Sequence, residues 1–286
     1  MRIASADFSW PGLPHHLVLD MIRELGCEGV LLGLIGDYSP IALDTVRADV
    51  PFWAGRLVER VEAHGLVLAD VFPIGSMDLT GLAVNHPDAS EREASAILFA
   101  EMLDFAERAG VDGLTILPGM PFADEDWTTS FDRACAELTT RVEGAKARGL
   151  RLSVEPHHGS IVETPQTAAR LVEAVPGLEL TLDYGHFTVQ GIPDGEIEPL
   201  LEHARLLHLR PGREGLVQTR MTDNTIDFGR IVDRLAELGF DGWLALEFVH
   251  DERPGCQDCD VLQESRALAA VVRERLDRPR AEALAV

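Results

Sequence analysis

The chain has 286 residues with 25 basic and 48 acidic side chains, a formal charge of −23, and is 46% hydrophobic. That length and apolar content suit one large soluble domain with a sizeable core, and the acidity opposes sequence-independent binding to nucleic acid. No window approaches the roughly 18 uninterrupted apolar residues of a membrane span, and Lys146 is the only lysine, which leaves no GK[ST] phosphate loop and a single Schiff-base candidate.

In chain order, short apolar runs alternate with longer amphipathic stretches. The runs Ile3–Phe8, Gly29–Leu34, Leu66–Phe72 and Gly113–Leu117 predict the first four strands, and Leu150–Glu155, Leu178–Asp183, Leu206–Leu209 and Trp243–Glu247 the next four. Each is continuously apolar over most of its length, as in strands buried on both faces of a parallel sheet. Between them, Pro14–Leu25, Pro51–His64, Ser90–Ala109, Trp127–Arg148, Pro165–Val175 and Phe228–Leu238 carry apolar residues at helical spacing. Gly26, Gly65, Gly110, Gly149 and Gly239 follow these helices where a left-handed residue closes the last turn. Thr164-Pro165 supplies an N-cap and a first-turn proline. Eight βα repeats predict a single-domain α/β fold, the (β/α)₈ TIM barrel, over residues 1–276, with a loose tail at 277–286. No GxGxxG follows the first strand, which removes the main nucleotide-binding form of a doubly wound sheet.

In such a barrel the active site lies at the C-terminal ends of the strands. Four consecutive predicted strands finish in or near an ionisable residue: Glu155, Asp183, His208 and Glu247, spaced 28, 25 and 39 residues apart. Two glutamates, an aspartate and a histidine make a mixed O/N set for a divalent ion, with Mn²⁺ ahead of Mg²⁺, Co²⁺ or Zn²⁺ because no thiolate is present. Carboxylates converging without a cation would repel one another. His186, three residues after Asp183, and Arg210, two after His208, read as substrate-orienting groups. Of His157 and His158, His158 is expected to face the pocket. Phe8, Trp10 and Phe72 lie at or just past strand ends and are placed to wall the substrate. Asp7 and Asp70 read as buried polar or pocket residues, His15-His16 as surface.

The runs Leu152-Ser153-Val154-Glu155-Pro156-His157, Leu182-Asp183-Tyr184-Gly185-His186, Leu207-His208-Leu209-Arg210 and Leu246-Glu247 resemble the xylose-isomerase-like TIM barrels, the sugar phosphate isomerase/epimerase superfamily. Ile226-Asp227-Phe228 and Gly239-Phe240-Asp241-Gly242 fit the same pattern. The resemblance implies that Glu155, Asp183, His208 and Glu247 are metal ligands, that Glu155 and Glu247 are the proton-transfer pair, and that His186 contacts substrate oxygens. Two departures stand out. The further glutamate of ketose 3-epimerases is replaced here by His157-His158-Gly159-Ser160-Ile161, and Arg210 lies closer to the metal histidine than their substrate arginine does. Another branch than a plain ketohexose 3-epimerase is therefore favoured.

The expected activity is divalent-metal-dependent isomerisation or epimerisation of a sugar, cyclitol or related hydroxyketone. It would proceed by proton abstraction α to a carbonyl through a metal-stabilised enediolate. Expulsion of a β-hydroxyl would instead give a lyase, such as an inosose or dehydroshikimate-type dehydratase or a C-glycoside deglycosidase subunit. The non-enzyme alternative is a barrel that binds metal or sugar without turnover. An endonuclease IV type would need more histidine ligands and a basic face. The expected partner is a small polyol or keto-sugar, with no nucleic acid and no membrane, and homo-oligomerisation is left open. Four irregularly spaced cysteines and the lack of a basic-then-apolar leader point to the cytoplasm. Cys256 and Cys259 form a CxxC without a second pair, read as a loop with incidental thiols.

Overall fold

The structure is a computed structural model and describes residues 1–75, 77–253 and 255–278. Most of the expected tail, residues 279–286, lies outside the described residues. Eight parallel strands form one sheet in the order β3-β2-β1-β8-β7-β6-β5-β4. They are β1 (Arg2–Ala6), β2 (Gly29–Ile35), β3 (Val67–Ile74), β4 (Gly113–Ile116), β5 (Arg151–Val154), β6 (Glu179–Asp183), β7 (Ala204–Leu209) and β8 (Trp243–Leu246). The first strand sits between β2 and β8, which curls the sheet on itself into a nearly closed (β/α)₈ barrel. The seam is between β3 and β4. Side chains span it, with Thr115 Oγ1 donating to Asp70 Oδ2 and Arg205 Nη2 donating to Asp70 Oδ1 at 2.7 Å.

Outside the strands run α1 (His15–Glu24), α2 (Leu43–Ala48), α3 (Val50–Glu62), α4 (Ala89–Ala109), α5 (Trp127–Ala147) and α6 (Pro165–Ala174). They are followed by α7 (Gly185–Thr188), α8 (Asp194–Ile197), α9 (Phe228–Glu237) and α10 (Val261–Leu276). The amphipathic patterns come from burying one helical stripe against the strands, as in α1, where Val18, Leu19 and Ile22 face inward. The five predicted helix-end glycines all have φ between 70° and 73°. Thr164 caps α6 by accepting from Thr167 N at 3.2 Å. Between β6 and β7, where no long amphipathic pattern exists, the connection is α7, α8 and a 3₁₀ turn over Glu198–His203.

The core has two parts. The larger lies between strands and helices. The smaller fills the barrel and is rich in alanine: Ala4, Ala6, Ala69 and Ala245 pack with Leu31, Leu206 and Trp243. These small residues leave room above them for a cavity at the C-terminal strand ends. Among the described residues no helix is long and apolar enough to cross a membrane.

Two placements differ from the sequence reading. Strand one stops at Ala6, and Asp7–Ser9 form a 3₁₀ turn. There Asp7 Oδ1 accepts from Gly33 N at 2.8 Å. His15 is buried rather than on the surface, because its Nε2 lies 3.2 Å from the other oxygen of the inward-turned Asp7. Both Asp7 and Asp70 prove fully buried, each held by partners inside the fold.

Candidate active site

The four ionisable residues of the second half-barrel arrive at one level because the ladders bring them there. Asp183 and His208 are register partners of β6 and β7. Glu155 N donates to Ile116 O and Glu247 N to Leu209 O, both at 3.0 Å, so each glutamate continues its ladder one residue past the strand. All four side chains are buried. His208 Nδ1 stands between the two glutamates, 2.6 Å from Glu155 Oε1 and 2.5 Å from Glu247 Oε2.

Asp183 is engaged differently. Its Oδ1 accepts from Gly185 N at 2.7 Å and its Oδ2 pairs with Arg210 Nη2. A Cβ on Gly185 would lie 2.9 Å from Val217 O and 3.0 Å from Asp183 Oδ1, so this close turn admits only glycine. Arg210 Nη2 also lies 3.0 Å from His186 Nε2. A guanidinium can only donate, so this nitrogen accepts. The neutral ring then carries its proton on Nδ1, a buried atom without a hydrogen-bond partner.

The His157 and His186 rings pack with centroids 3.9 Å apart. His157 Nδ1 lies 2.7 Å from the His158 carbonyl oxygen, to which it donates, leaving the other ring nitrogen with a free lone pair. This pair corrects the sequence reading: His157 lines the cavity, whereas His158 is 51% exposed and leans toward Glu163. The tight turn over His157–Ser160 sends the second ring outward. Phe8 and Phe72 line the cavity as expected. Trp10 does not. The Asp7–Ser9 turn rotates it away, and it packs half-buried against the outer core. Gly33 permits the Phe8 position, since a Cβ there would fall 2.1 Å from the Phe8 ring.

The electrostatics are those of charges withdrawn from water. Burial pushes the Glu155 carboxyl up to about 7, with Glu247 adding repulsion against the attraction of His208. Glu247 is also penalised by burial, but His208 and Arg210 outweigh that and hold it down to about 2. Burial works against the His208 imidazolium, yet the Glu247 and Glu155 carboxylates raise it well above its ordinary value. Burial lowers His157 to about 4 and His186 well below the usual imidazole range, with His157 and Arg210 assisting at His186.

These groups suit a divalent cation. Ligand atoms of Glu155, His208 and Glu247 lie within 4.8 Å of one another, all buried, and a second set joins Glu155, His157 and His186. His208 Nε2 is buried without a partner. Three carboxylates face one fixed cation, Arg210, so the imidazolium proton supplies the charge a metal would bring, and metal binding would displace it.

The cavity above is about 710 Å³. Sequence reasoning did not single out Ile35, Tyr38, Leu117, Asp251 or Arg253 among its lining. The only signal for the last two was a charged stretch directly after strand eight. Cys256 is buried beside the inner cluster, and burial pushes its thiol up to about 11, which suits an unreactive thiol.

The family described as xylose isomerase-like TIM barrel matches residues 19–274. The chain belongs to this family. Among solved structures it resembles D-psicose 3-epimerase from Clostridium cellulolyticum H10, with TM-score 0.75 and 14% identity over 97% of this chain and 100% of that one. It also resembles the probable 3-DHS dehydratase AsbF from Bacillus anthracis, with TM-score 0.72 and 13% identity over 96% and 100% of the two chains. The IOLI protein with a zinc atom bound gives TM-score 0.72 and 16% identity over 97% and 100%. No curated protein gives a significant match. At such identities the likeness is one of fold.

Proposed function

We propose that this chain is a divalent-metal-dependent isomerase or epimerase of a hydroxyketone, a sugar or cyclitol, and that it moves a proton on the carbon α to the carbonyl. The observation that carries this reading is the buried convergence of Glu155 and Glu247 on Nδ1 of His208 at the floor of the cavity. Glu155, His208 and Glu247 would hold the ion, with Asp183 as the fourth ligand shared with Arg210. When bound, the ion supplies the Lewis acidity that polarises the substrate carbonyl.

The side chains do the rest. One glutamate takes the α-proton as its carboxylate, and the other, protonated, returns a proton on the opposite face. Return to the same carbon inverts it; return to the neighbouring carbon isomerises the sugar. His186 and Arg210 orient the substrate oxygens, and Phe8 and Phe72 shield the reacting carbon from water. The 3-epimerase, dehydratase and zinc-bound likenesses agree with this reading.

One observation favours elimination as a second outcome. His186 lines the cavity beside Glu155 and Arg210, where a protonated glutamate would give its proton to a departing β-hydroxyl so that it leaves as water. Both outcomes begin with the same abstraction. The test is solvent-deuterium exchange in the metal-loaded protein with keto-sugars, inososes and 3-ketoglycosides. Exchange at an α-carbon that Glu155→Gln abolishes supports the reading, and retained exchange in that variant refutes the assignment of Glu155. Loss of water from the product would mark the lyase.

A further inference from the structure

The cavity is divided by strand order. Loops and strand ends of β1 to β4 contribute Phe8, Ile35, Phe72, Ile74, Leu79 and Leu117 to its lining. Those of β5 to β8 contribute Glu155, His157, His186, Arg210, Glu247 and Arg253. Because the strands run round a ring, these sets form two facing walls, one apolar and one charged. The Tyr38 hydroxyl, from the first half, already accepts from His250 N at 3.0 Å.

A bare polyol would turn several hydroxyls toward the apolar wall, where the Tyr38 O–H is the one side-chain donor among the described residues of that wall and the remaining hydroxyls would lose water without a partner. At about 710 Å³ the space falls within the roughly 300–1,000 Å³ of cavities that enclose ligands of drug size. The lining arginines are already matched to carboxylates, Arg210 to Asp183 and Arg253 to Asp251 at 2.6 Å. A phosphate dianion would therefore meet no unpaired arginine among the described lining residues and would face Glu155, Glu247 and Glu252, while the ion proposed for the floor is matched by its own carboxylate ligands.

From this we propose that the substrate is uncharged and two-sided: a hydroxyketone head set against the β5–β8 wall, carrying an apolar, ring-sized substituent packed against the β1–β4 wall. This inference rests on the proposed reaction for the head group and adds the body. Calorimetric binding to the metal-loaded full chain tests it, with methyl 3-keto-β-D-glucopyranoside, its phenyl counterpart and the 6-phosphate of the methyl compound. The phenyl glycoside should bind about tenfold or more tighter than the methyl one, ~1.4 kcal/mol, and the phosphate more weakly than either. Leu117→Asn and Leu79→Asn should weaken phenyl binding more than methyl binding and so remove most of that preference. Where Leu117→Asn does not fold, Leu79→Asn, on a half-exposed loop, carries the test. Equal or weaker phenyl binding, tighter phosphate binding, or no binding of either glycoside overturns the proposal. Deuterium exchange on the methyl compound reads the reaction separately. Aryl preference without exchange would refute the reaction alone; exchange without aryl preference would refute this inference alone.

Discussion

At the ends of β5 to β8 the chain buries Glu155, Asp183, His208 and Glu247 within reach of one another or of Arg210; at the ends of β1 to β4 the same βα repeat sets Phe8, Ile35, Phe72 and Leu117 over the same cavity. The contrast shows how one repeat serves two tasks. Buried ionisable groups hold their geometry only when each has a partner, so the charged half is tightly cross-bonded by paired carboxylates, an imidazole and a guanidinium. The apolar wall packs mainly by shape, with the Tyr38 hydroxyl accepting from His250 N, and it touches the charged half where the Phe72 ring lies 5.6 Å from that of His208. On the proposed reading, reaction chemistry falls to one half and substrate choice to the other.

The sharpest way to break this division is to remove a glutamate. Glu155→Gln or Glu247→Gln should lower α-proton exchange by about 10²–10⁴-fold, whereas Phe72→Ala should act mainly on substrate binding, by roughly tenfold. Steady-state and exchange kinetics check both, and a comparable loss from Phe72→Ala would erase the distinction between the halves. A second test targets what joins them. Asp70 on β3, Thr115 on β4 and Arg205 on β7 bond across the seam inside the barrel. Arg205→Met leaves the Asp70 carboxylate buried without its cation and should cost about 3–5 kcal/mol in denaturant unfolding. The double variant Asp70→Asn, Arg205→Met should recover part of that loss.

The smallest expected effect lies away from both walls. Hydrogen bonds from Arg133 and then Ser130 hold the Glu125 carboxyl down to about 2. A depressed folded value contributes stability above the unfolded value of about 4.3 and loses it as pH falls toward about 2. Glu125→Gln should therefore be destabilised by about 1 kcal/mol at neutral pH, and its deficit against the parent should shrink between pH 6 and pH 3.5. A constant deficit across that range would contradict the assignment.

The charged half was legible in the sequence because each ionisable residue ends or nearly ends an uninterrupted apolar run, and strand ends share one level in a barrel. The strand count and helix-end glycines were legible for the same local reason. What escaped depends on turns. Whether His157 or His158 enters the cavity is set by a tight loop, and Trp10 is turned away by a 3₁₀ turn after Ala6. His15 looks exposed at the start of α1 until Asp7, from another element, pairs with it. The apolar wall was only partly visible, since Leu117 read as an ordinary strand residue and Ile35 fell just past the predicted second strand until the ring of strands set them opposite the carboxylates.

The central claim is that Glu155, His208 and Glu247 form a divalent-metal site. Elemental analysis of the purified chain after reconstitution with Mn²⁺ and removal of free ion tests it most directly, alongside melting with and without the ion. The account predicts about one ion per chain, a higher melting temperature with metal as expected when a ligand binds only the native state, and loss of both in His208→Ala. No bound ion, together with melting unmoved by Mn²⁺, would contradict it.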